Sequence, residues 1–150
     1  MILRNLSATR WALVALVLAA GGLPLILGPD PVTVPEHHLQ HALLLIGGGA
    51  VGFLAYPPHS RSGAGCGSVG WLAIGLFAPL MIMFQMNPAT YAYIEIHEAV
   101  HTFDHLIMEA LAALTTYAGQ RYLRGLGWVT GAALELMALL AVWGYGVVIG

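Results

Sequence analysis

Five apolar runs, at 11–27, 36–56, 69–86, 89–118 and 128–149, take up most of this chain. A run of about 20 apolar residues is the length an α-helix needs to cross the hydrocarbon core of a bilayer. Within that core every backbone N–H and C=O must be satisfied inside the segment, which a helix does by itself. The expectation is an all-α, polytopic integral membrane helix bundle: five transmembrane spans forming a single domain over 1–150. Charge usage agrees, because only 8% of residues are charged against about 25% in soluble domains.

The breaks between runs carry turn chemistry. Gly28-Pro29-Asp30-Pro31 cannot continue a helix, Pro35 suits the entry to span two, and Asn87-Pro88 closes span three. The loop 57–68 holds Pro57-Pro58, His59, Arg61 and small residues around the single cysteine, Cys66, which has no internal disulfide partner. Span one follows Arg4 and Arg10 and so resembles a signal peptide. Its apolar run continues through Leu23–Leu27 without a small-x-small cleavage site, which predicts a retained anchor.

The chain has no lysine and five arginines. With the N-terminus inside, Arg4, Arg10, Arg61, Arg121 and Arg124 all fall on the cytoplasmic side, so the arrangement N-in/C-out follows from the positive-inside rule. A multi-pass protein of the cell (plasma) membrane is expected, its lipid bilayer a constant partner. No basic tract points to nucleic acid. Serine–histidine and cysteine–histidine nucleophile arrangements and phosphate-binding glycine loops are absent from the sequence, which argues against hydrolase and nucleotide chemistry and leaves no catalytic residue to name.

In this orientation six of the seven histidines lie in the outer half and only His59 is inside. His97, His101 and His105 are spaced by four, so on one continuous helix they stack on a single face, with Asp104 beside them and Glu109 a turn below. His37-His38-Leu39-Gln40-His41 opens span two and again sets two histidines four apart. Beyond these histidine-rich starts, spans two and four show no convincing repeat. Ionisable groups in membrane helices are costly and usually functional. Two antiparallel helices, each offering a His pair, can direct four imidazoles at one volume, a donor set that suits copper, zinc, iron or nickel. The bland alternative is a set of interfacial histidines bonded to headgroups; six on one side, two pairs of them at helical spacing, favour the site. Asp104 either orients an imidazole from an adjacent helix or faces solvent. His38 and His97 are possible additional ligands.

Met81, Met83 and Met86 lie level with the histidines at the end of span three and offer soft thioether sulfur, although methionine is ordinary apolar filler. Glu109 and Glu135, near the bilayer centre on spans four and five, read as a hydrogen-bonded structural pair in preference to a proton relay or occasional ligand. Gly48 and Gly52 share a helix face with His41, either as a helix-packing device or as a smooth face for a porphyrin edge.

His37-His38-Leu39-Gln40-His41-Ala42-Leu43-Leu44-Leu45 resembles the H-M-L-Q-H-L-L-L helix start of the CtaG-like assembly factors for caa-type cytochrome c oxidase. His101-Thr102-Phe103-Asp104-His105-Leu106-Ile107 is similar to the H-x-x-E/D-H-L-L motif that follows in the same proteins. The resemblance covers spans two to four and implies a membrane protein that supports oxidase maturation through copper delivery, with His37, His41, His101, Asp104 and His105 at the matching positions. The chain is shorter than typical members, has aspartate where the family has glutamate, and adds His38 and His97, which makes it a small divergent relative under this reading. Three functions are therefore weighed: a copper-binding membrane protein that helps assemble or operate a respiratory oxidase; a b-type cytochrome with haem between His41 and His101 or His105; and a small accessory subunit of a membrane respiratory complex.

Overall fold

A computed structural model describes residues 2–28, 34–56 and 67–123, together with Leu136 and Leu140. Among the described residues all regular structure is helical, and there is no strand. The first rod runs through α1 (Ile2–Val17), a π turn (Leu18–Gly22) and α2 (Leu23–Leu27). Pro24 has no N–H and its ring presses on the carbonyl four residues back; the wider π turn directly before it gives that ring room. The rod ends at Gly28, whose N–H donates to the Pro24 carbonyl at 3.0 Å.

Helix α3 (Val34–Ala55) carries Pro35 in its first turn, and α4 (Gly67–Gln85) runs to Asn87. Asn87 caps α5 (Pro88–Glu95): its side-chain oxygen accepts from the Ala89 N–H at 3.1 Å, and Pro88 occupies the first helical position, where a missing N–H costs nothing. Helix α5 turns 68° from α4. It stops at Glu95, and α6 (Glu98–Leu123) begins after Ile96 and His97, with the His97 carbonyl accepting from His101 N–H at 2.9 Å. The expected continuous span over 89–118 is therefore two helices. Ala8–Leu27 and Glu36–Ala55 are long and apolar enough to cross a membrane, and Val69–Gln85 with Pro88–Glu95 would supply a third span if the bent pair counts as one. The fifth run, 128–149, lies outside the described residues apart from Leu136 and Leu140, as do His59, Cys66 and Glu135.

Helices α3 and α6 form the central pair. The histidine contacts between them join His37 to His101 and His41 to His105, both 64 residues apart. A constant difference means that the two helices run parallel; an antiparallel pair would keep a constant sum. The expected antiparallel pairing is corrected by this register, which also agrees with the rule that alternate spans in a bundle share a direction. Contact between them is close because two glycines leave room. A Cβ on Gly48 would strike the Glu109 carbonyl, and one on Gly52 the Ala113 carbonyl. In lipid, where apolar surface gains nothing from leaving water, such close backbone packing is a main source of helix association.

Below the histidines, Leu45, Ile82, Met86, Met108 and Ala112 fill the space between α3, α4 and α6. Elsewhere polarity is inverted relative to a soluble domain. The buried set includes His37, His38, Gln40, His41, Gln85, His101, Asp104, His105, Glu109, Thr115, Thr116 and Gln120, while Trp11, Leu16, Leu39, Phe77, Leu80 and Phe84 face outward. An apolar exterior on this scale is what a lipid-facing surface requires.

The far end has a different character. Arg10 and Gln120 both donate to the Phe53 carbonyl, at 3.3 and 3.4 Å. Arg121 stands 5.2 Å from the Trp71 ring centroid, and Trp71 in turn packs on Tyr117. Aromatic rings with arginine are characteristic of a membrane–water boundary.

Candidate metal centre

Spacings of four place His37 and His41 on one face of α3, and His101 and His105 on one face of α6. Parallel packing in register then sets the two pairs opposite each other. Ring centroids form a closed quadrilateral: His37–His41 4.4 Å, His41–His105 4.9 Å, His105–His101 4.3 Å and His101–His37 5.0 Å. The His41 and His105 Nε2 atoms are 2.9 Å apart and those of His37 and His101 are 3.4 Å apart. One nitrogen from each of the four rings lies within 4.8 Å of all the others. Two nitrogens each about 2.0–2.1 Å from a shared ion are about 3 to 4 Å apart, depending on the angle between the bonds. The four imidazoles could therefore hold a metal ion. All four are buried, the inner pair His41 and His105 each at 1% exposure. No family model matches the chain, and no curated protein or solved structure matches it.

The centre has a fifth member that the sequence reading did not place there. Glu95, the last residue of α5, brings Oε1 to 3.0 Å from His37 Nε2 and 3.3 Å from His101 Nε2, and its side chain is 34% exposed. The carboxylate therefore bridges the outer His pair at an edge of the cluster that solvent reaches. Tyr91, a turn earlier on α5, bonds to Glu95 and sets its ring about 6 Å from those of His37, His38 and His41.

His97 is not part of the group. It is exposed, its Nδ1 pairs with the Tyr93 carbonyl at 2.8 Å, and its ring lies on Tyr93. The cause is the break at Ile96–His97. On an unbroken helix His97 would stack under His101, while Glu95 would point roughly 120° away. The break reverses the two, turning the histidine out and the glutamate in.

His38 is buried beside the group, its ring 6.3 Å from His41 and 5.7 Å from Tyr91, and it supplies none of the four converging nitrogens. Asp104 is buried, and its Oδ1 accepts from Gln85 Nε2 at 2.6 Å, tying α6 to α4. Solvent exposure of Asp104, one of the two expectations, is thereby corrected. Gln40, at the equivalent place on α3, donates to the Leu25 carbonyl of α2. The two segments H-x-x-Q-H and H-x-x-D-H thus sit alike, each with its third polar residue bonded to an earlier helix, Gln40 to α2 and Asp104 to α4.

Met83 is 52% exposed, Met81 is half-buried, and Met86 belongs to the apolar core with Met108. Gly48 and Gly52 act as packing residues, their face filled by the α6 backbone. Glu109 is buried with Oε1 lacking a hydrogen-bond partner among the described residues. Its expected pairing with Glu135 falls outside the described residues.

Proposed function

We propose that the protein is a five-span, N-in/C-out protein of the plasma membrane that binds a copper ion near its outer face and serves the assembly or operation of a respiratory oxidase. The observation that carries this reading is the buried convergence of four imidazoles from two parallel helices. Nitrogen sites bind Cu²⁺ more tightly than the other first-row divalent ions, and the H-x-x-Q-H and H-x-x-D-H segments resemble those of the CtaG-like copper-delivery factors. His37, His41, His101 and His105 would hold the ion, with Glu95 as the oxygen donor on the solvent side. Arg10 and Arg121 at the opposite end support placing that end in the cytoplasm.

An ion is favoured over haem b because the glycine face below His41, where a porphyrin edge would enter, is occupied by α6. The test is metal analysis and a visible spectrum of the purified full chain. Copper near one per chain, lost in His41→Ala and in His105→Ala, is the expected result. A Soret band with a sharp reduced α band would replace copper by haem, and unchanged copper in both variants would remove the site.

A further inference from the structure

Glu109 lies one turn below His105, on the face of α6 that also carries His101. It is 5% exposed, and Oε1 has no partner among the described residues. Space for its carboxyl comes from Gly22, the last residue of the π turn, where a Cβ would come within 2.5 Å of Oε1; a Cβ on Gly47 of α3 would make an ordinary contact at 3.7 Å. The π turn therefore yields to this side chain and α3 lies against it, and neither supplies a donor or a counter-charge. Arg10 and Arg121, the cations with described side chains, are engaged at the opposite end.

Along α6 the titratable groups preceding Glu109 are Glu98, His101, Asp104 and His105, and α3, which touches its carboxyl at Gly47, carries Glu36, His37, His38 and His41 at its outer end. Neither α4 nor the segment Leu18–Leu27 contributes any. A buried anion without a positive partner is costly, and so is a dication among four neutral rings with a single carboxylate at its edge. Each charge offsets the other if both are present together.

We propose that Glu109 is a proton-exchange site coupled to the metal centre: it holds a proton while the imidazoles are empty and releases it to water when a divalent cation enters. In this step the carboxyl O–H bond breaks, its electron pair stays on oxygen, the proton passes to solvent, and nothing is oxidised or reduced. With Glu95 and Glu109 both as carboxylates, the two negative charges balance one dication. The site then favours divalent over monovalent ions. The inference rests on the metal reading above.

The experiment is calorimetric titration of the purified full chain with Zn²⁺, in two buffers of different ionisation heat at pH 7, which counts protons released per ion. Glu109→Gln is expected to release about one proton fewer and to bind Zn²⁺ about 10- to 100-fold more weakly, the range seen when groups supporting a metal site are removed. Its Ag⁺ affinity should change far less, and Glu109→Asp should keep the proton count. Infrared difference spectra of the unmodified chain provide a readout independent of any variant's folding: Zn²⁺ should abolish a protonated-carboxyl C=O band. Zn²⁺ binding with an unchanged proton count in Glu109→Gln, or without loss of that band, overturns the proposal. So does a proton loss that follows Asp104→Asn instead. Failure of Zn²⁺, Cu²⁺ and Ag⁺ to bind the unmodified chain overturns the metal reading and this proposal with it.

Discussion

The start of α3 and the start of α6 have the same geometry and different charge. Each presents two imidazoles four residues apart, and each anchors a buried polar residue to an earlier helix, Gln40 to α2 and Asp104 to α4. One turn further the likeness ends. Leu45 on α3 is packed in the apolar core, whereas its counterpart 64 residues later is the buried acid Glu109. Among the described residues, ionisable acids near the centre come from α5 and α6; the described turns of α3 beyond the exposed Glu36 are neutral apart from histidine. Half of the donors can therefore be placed by shape alone, while the counter-charge for an ion is concentrated on the other half.

If the two halves share the ligand work equally, removing either inner histidine should have the same large effect. His41→Ala and His105→Ala are each expected to weaken copper binding by more than about 100-fold, beyond what loss of a merely supporting group costs; a large gap between the two, in equilibrium dialysis, would break the symmetry. Acidification should act on both halves together. An imidazole must be unprotonated to bind a metal, so retained copper should fall steeply as pH drops through the imidazole range and recover when pH is restored.

Packing tests come next in size. Gly48→Leu places a side chain where the Glu109 carbonyl lies and should cost about 1–3 kcal/mol, the usual penalty of overpacking, read as a lower unfolding midpoint in detergent. Gln40→Ala and Asp104→Ala sharpen the comparison at smaller scale. Loss of the neutral tie should cost about 0.5–1.5 kcal/mol and loss of the tie with an ionisable partner about 1.5–3 kcal/mol, so equal losses would mean that Asp104 bonds as a neutral group. The smallest effect expected is that of His97→Ala, which should leave copper content unchanged.

The four-imidazole centre was legible because spacing by four reads directly as a helix face, and because both pairs open apolar runs of membrane length. The shared direction of the two helices was also implied, since spans two and four of an alternating bundle run the same way, and the antiparallel expectation overlooked it. Their axial register was not legible, because it is set by tertiary contact alone. Glu95 was hidden by the same feature that misplaced His97. Without the interruption at Ile96–His97, helical arithmetic puts the histidine in line and the glutamate out of it. Nothing in Tyr-Ile-Glu-Ile-His-Glu announces a break, because none of those residues is a glycine or a proline. Asp104 and Gln85 sit on different helices, so their bond depends on tertiary placement alone.

The glycine seats also limit how such a cage could ever open. Were α3 to slide by one turn, about 5.4 Å, His41 would face His101 while His37 and His105 lost their opposite numbers. Four nitrogens would fall to two in a single jump, with no stable halfway stop. Because Gly48 and Gly52 rest on α6 carbonyls, the rods must first separate before they can shift. Letting go of a cargo ion by this route would thus be a discrete event, set by how often the two rods part.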